Sequence, residues 1–99
     1  MGYRKMIQAD QRLAICQILE QDPDYSHNEH VIKRALAFLG HSISSDLVRT
    51  RLAWLEEQDL VRIDRESAAP VWVVTLTSRG EDAALGRARI EGVARPRPD

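Results

Sequence analysis

Between residues 44 and 76 the apolar side chains change period. Val48, Leu52 and Leu55 recur at spacings of four and three, which puts them on one seam of a helix. Past Asp59 the pattern becomes that of strands: Trp72, Val74 and Leu76 alternate with Val71, Val73 and Thr75. A helix therefore runs straight into two antiparallel strands, expected at 60–64 and 71–76. The tip between them, DRESAAP, is polar and ends in Pro70.

The flanking segments supply more helices. Ile7, Ala14, Ile15 and Ile18 form one stripe over 4–21, widened by Leu13, Cys16 and Leu19. Such a helix needs cover on more than one side, either from its own domain or from a second subunit. Pro23 ends it by removing a backbone donor and disfavouring helix at Asp22. Ser26-His27-Asn28-Glu29 reads as a capping box opening a second helix at 27–39. Val31, Ile32, Ala35, Phe38 and Leu39 are expected on its inner face, and Gly40 suits a left-handed cap. Ser44 is the expected N-cap of the third helix, and Asp46 suits its dipole. Thr77 is placed to cap a last helix at 78–86. The remaining residues, 87–99, are basic, contain two prolines and are expected to be irregular.

The chain of 99 residues has room for one small domain, assigned to 1–86 with 87–99 as a tail. Fourteen basic residues face 15 acidic ones, which argues against strong non-specific affinity for nucleic acid. No apolar run approaches a membrane span, and the N-terminus lacks the apolar core of a secretory signal. The single cysteine, Cys16, permits no internal disulfide and suits a reducing compartment, so a cytoplasmic location is expected. On a helix interior among apolar residues it reads as a buried, inert thiol. No glycine-rich phosphate loop, nucleophile motif or paired metal-ligand spacing is present, so neither an enzyme nor a cofactor or metal site is expected. His27 and His30, three apart, have a spacing that could share a metal, but His27 is read as flanking a helix cap.

Three helices, a two-stranded hairpin and a short closing helix make an α+β, mainly helical arrangement: the winged helix-turn-helix. The stretch ISSDLVRTRLAWLEEQDLVRI resembles the recognition helix and first wing strand of bacterial repressors of the ArsR and MarR type. The segment from Val74 to Gly80 resembles the LTxxG that closes their wing. From Arg12 to Pro98 the chain is similar to small winged-helix proteins of Mu-like phages and prophages. The residues that carry this are RLAI, Tyr25 with Asn28 and Glu29, VRTRLAWLEEQDLV, LTxRG and GRARIEGVARPRP. Asp59 stands where such families usually have glycine, and the paired cysteines of metal-sensing members are missing.

The resemblance implies the fold and a phage origin. The helix, the LTxRG segment and Arg49 lead to the expectation of a sequence-specific regulator that binds double-stranded DNA. A homodimer is expected because one domain reads only a short half-site. Asp46, Thr50, Ala53 and Glu57 would then face outward, with Arg49 to one side and Arg51 to the other. Arg49 is the expected base contact, because its planar fork can hold guanine O6 and N7 together. Ser45 and Thr50 would bond phosphate or a base edge, and Asp46 a cytosine amine. Arg62 and Arg65 on the wing would meet phosphates, as would Lys33 and Arg34. Arg87, Arg89, Arg95 and Arg97 would add tail contacts as a flexible arm. The first helix is the expected dimer interface, with Ile90 or Val93. The alternative is a winged helix that binds a host or phage protein, motivated by the near-zero net charge, Asp46, Glu57 and Trp54.

Overall fold

The structure is a computed structural model that describes residues 2–66 and 70–97. The elements run α1 (Tyr3–Glu20), β1 (Ser26–Asn28), α2 (Glu29–Phe38), α3 (Ser45–Glu57), β2 (Val61–Asp64), β3 (Val73–Leu76) and α4 (Ser78–Leu85). The fold is α+β and mainly helical, with four helices and one antiparallel sheet among the described residues.

That sheet has three strands rather than two, in the order β1-β3-β2. Ser26 pairs with Thr75 and Asn28 with Val73, while Val61 pairs with Leu76 and Asp64 with Val73. The added strand corrects the expected capping box. Ser26 is occupied by the sheet, so the helix starts two residues later. Asn28 becomes the N-cap, its Oδ1 accepting from the Val31 amide at 2.9 Å. The Glu29 carboxylate is thereby free for a different task.

The other caps fall where expected. Ser44 Oγ accepts from Leu47 N at 3.1 Å, and Thr77 Oγ1 accepts from Gly80 N at 3.0 Å. Gly40 has φ of 96°, and Asp59 takes a left-handed φ of 60° at the turn from α3 to β2.

Val48, Leu52 and Leu55 are buried, with Ile15, Leu19, Ile32, Leu36, Leu60 and Val74 around them. Each such side chain contributes about 1.5–3 kcal/mol over its exposed state. The apolar stripe of α1 is covered within the chain by α4, α2 and α3. Ile90 and Val93 join the same core. The apolar breadth of α1 thus has an intramolecular explanation and is not by itself a reason for a dimer.

Two expected core residues of α2 lie outside it. Phe38 is 89% exposed and Leu39 52%, while Leu36 takes the inward position. With α2 ending at Phe38, Leu36 continues the seam from Ile32 at a spacing of four, and the last residues turn past it.

Gly80 shows why the passage from the β2–β3 hairpin into α4 needs glycine. A β-carbon there would run into the carbonyl oxygen of Leu60 and come within 2.5 Å of Leu76 Cδ1. The same carbonyl accepts from Thr77 N and from Thr77 Oγ1, each at 3.0 Å. The first turn of α4 therefore sits directly on the start of β2.

Residues 87–97 contain no helix or strand, but they are not a free arm. Ala94 N donates to Ala9 O at 3.1 Å, and Arg12 Nη1 donates to Gly92 O at 2.9 Å. Burial of Ile90 and Val93 holds this segment along α1.

Candidate interaction surfaces of the third helix

Arg49 leaves α3 on the side of the β2–β3 hairpin, where Glu29 meets it. Arg49 Nε and Nη2 donate to the two carboxylate oxygens of Glu29, each at 2.7 Å. Glu29 is 5% exposed and also accepts from the amide of Trp72 at 2.7 Å. The Glu29 amide in turn donates to Trp72 O at 2.9 Å, so α2 grips the chain entering β3 through backbone and side chain together. These bonds hold the Glu29 carboxyl below its ordinary range, Arg49 contributing most and burial opposing it.

The ring of Trp72 carries a second arginine. Arg49 Cζ lies 4.5 Å from the ring centroid and Arg65 Cζ 4.4 Å. Arg65 is gripped from its other side by Glu56, through two bonds of 2.9 Å. Glu29, Arg49, Trp72, Arg65 and Glu56 therefore form one chain of contacts linking α2, α3 and the β2–β3 hairpin.

This geometry bears on the expected role of Arg49. Nε and Nη2 each give a hydrogen to Glu29, which ties the guanidinium to its own chain and leaves three of its five N–H donors. The role expected of Arg51 is corrected. It is 8% exposed and turns toward α1, where its Nε donates to Gln11 Oε1 at 2.9 Å. Arg65, expected on phosphate, is committed to Glu56 and Trp72.

The other expected contacts remain at the surface. Ser45, Asp46, Thr50 and Arg62 are exposed. Thr50 Oγ1 donates to the Asp46 carbonyl, and Lys33 Nζ donates to Ser45 Oγ at 3.1 Å. Arg34 is exposed beside them. Arg87, Arg89, Arg95 and Arg97 are exposed on the tail, Arg87 with Asp82 at 3.6 Å. Arg95 and Arg97 border a cleft with Asp10 and Gln17 of α1 and with His41. His27 pairs with Asp22 at 2.7 Å.

The opposite flank of α3 carries Leu47, Arg51 and Trp54 against α1. Arg12 stacks on Trp54, its Cζ 3.8 Å from the ring centroid. The Arg12 Nε is buried without a hydrogen-bond partner. Burial lowers the pKa of both Arg12 and Arg51, and Arg51 adds repulsion to Arg12. Sequence reasoning missed this pair and missed Glu29 and Trp72 as the centre of the contact between α2, α3 and the β2–β3 hairpin. The residues concerned are 20 to 43 positions apart, and no short spacing announces them.

No protein-family profile matches the chain. Two relatives do. One is an uncharacterized protein of Haemophilus influenzae (strain ATCC 51907 / DSM 11121 / KW20 / Rd), 46% identical over 65 residues, covering 66% of this chain and 63% of the relative. The other is gp26 of Escherichia phage Mu, also described as uncharacterized, 47% identical over 89 residues and covering 90% of each chain. Identity at that level over nearly the whole length places this phage-type protein in the family of phage Mu gp26.

Proposed function

We propose that the chain is a winged-helix domain that serves as a protein-interaction module and does not read bases. The order of helices and strands, with α3 feeding the β2–β3 wing, supports the winged-helix part. The single observation that carries the functional part is the fate of the arginines. Arg49 and Arg65 are both held by carboxylates of their own chain and stacked on Trp72, and Arg51 faces α1. What α3 presents outward is Ser45, Asp46, Thr50 and Glu57, with no cation that is not already paired. Such a face lacks the positive potential on which duplex affinity rests.

A second reading has one observation in its favour. Lys33 reaches Ser45 at the start of α3, and Arg34 and Arg62 are exposed and form no ion pair among the described residues. They would suit phosphates, in a regulator that uses shape and backbone contact. Selection of genomic fragments by purified protein at low and at physiological salt separates the two. The protein-binding reading expects no enriched site and weak retention that salt abolishes. A short palindromic footprint that is lost in Arg34→Ala or Arg62→Ala overturns it in favour of a DNA-binding regulator.

A further inference from the structure

The two flanks of α3 treat their arginines differently. On the wing side each guanidinium has a carboxylate, Glu29 for Arg49 and Glu56 for Arg65. On the α1 side neither Arg12 nor Arg51 has one among the described residues, although Arg51 is the more buried of all four. Buried cations are ordinarily matched by an anion. Here the nearest polar partners are neutral: Gln11 Oε1 for Arg51 and the Gly92 carbonyl for Arg12.

Two adjoining clefts open onto these groups. One, about 260 Å³, is lined by Tyr3, Arg4, Ile7, Gln11, Leu47 and Arg51, and the other, about 540 Å³, by Lys5, Arg12, Trp54, Glu91 and Gly92. Gln8 lines both, so they form one groove along the first half of α1. Four cations border it against one carboxylate, Glu91. Its walls also offer apolar surface from Tyr3, Ile7, Leu47 and Trp54, and Tyr3 is 74% exposed.

We propose that this groove docks an acidic peptide segment of a partner protein, whose carboxylates supply the counter-charge that Arg51 and Arg12 lack. The mixture favours a peptide over nucleic acid. Apolar walls suit leucine-like side chains between the acidic ones, whereas a phosphate backbone offers nothing to Ile7 and Leu47. The inference rests on the protein-binding reading above and names the surface and the partner's chemistry.

The test is a titration of nitrogen-15-labelled protein with a short peptide of repeated Glu-Glu-Leu, followed at the arginine Nε–H and tryptophan indole signals. The matching Gln-Gln-Leu peptide and a random-sequence duplex are titrated in parallel. The expected result is movement of Arg51, Arg12 and Trp54 while Trp72 stays still, with the Gln peptide at least about tenfold weaker, a difference of about 1.4 kcal/mol. The double variant Arg4→Glu, Lys5→Glu alters only exposed side chains, so its spectrum should remain folded while acidic-peptide affinity drops about tenfold. Equal binding of the Glu and Gln peptides, no movement at millimolar peptide, or movement confined to Trp72 overturns the groove alone. Tighter binding of the duplex at the same signals overturns both the groove and the protein-binding reading.

Discussion

Replacing Gly80 with alanine sets two effects of opposite sign against each other. Gly80 lies in the first turn of α4, and alanine is the better helix former by about 1 kcal/mol. On propensity alone, Gly80→Ala should stabilise the protein. The structure argues otherwise, because the new methyl would collide with the Leu60 carbonyl and with Leu76 Cδ1. The first obstacle is backbone and cannot rotate aside. Overpacking of this kind costs about 1–3 kcal/mol. Moving α4 outward to relieve it would also stretch the two bonds from Thr77 to Leu60 O, each worth about 1 kcal/mol net. The first-turn position discounts the propensity gain, so the clash prevails and a net loss of about 2 kcal/mol is expected. In a domain of this size that lowers the melting temperature by about 10 °C. Urea unfolding should show a lower midpoint with an unchanged slope. A variant as stable as the parent, or more stable, would refute the account of the α4–β2 contact as a close approach that only glycine permits.

Other consequences follow from the buried contacts. The Glu29 and Glu56 carboxyls are held low by Arg49 and Arg65 respectively, from an ordinary value of 4.5. Their contribution to stability is therefore complete above about pH 4.5 and is lost as pH falls through the depressed folded-state values. Urea midpoints measured across that acid range should fall, and Glu29→Gln should flatten the decline; an unchanged slope in the variant would exclude Glu29 as a source. Burial pushes the Cys16 thiol up to about 12, so a thiol reagent at neutral pH should label native protein slowly and urea-unfolded protein fast. Rapid labelling of the native state would contradict its place in the core. A β-carbon at Gly92 would fall 2.7 Å from Trp54 Cζ2, and its φ of 91° disfavours other residues. Gly92→Ala should therefore release the tail from α1, read as faster amide exchange at Ala94, whose amide bonds Ala9 O. Unaltered exchange would mean that the Arg12–Trp54–Gly92 contact does not hold the tail.

The parts of this molecule legible in its sequence are those decided by neighbours in the chain. Ser44, Thr77 and Gly40 act within three residues of themselves, and the seam of Val48, Leu52 and Leu55 needs only helical spacing. Where local and distant demands compete, the local rule loses. Ser26 and Glu29 carry a capping-box pattern, yet the Ser26 backbone is drawn into the sheet opposite Thr75 and the Glu29 carboxylate goes to Arg49 and Trp72. The same competition decides the surface of α3. Helical geometry places Arg49 and Arg51 on either side of the outer face, but it cannot say that a carboxylate 20 positions earlier waits for one and a glutamine 40 positions earlier for the other. An exposed helix position is therefore a weaker argument for recognition than the absence of an internal partner. By that criterion the guanidiniums to follow are Arg51 and Arg12, which the pattern of apolar residues left in the background.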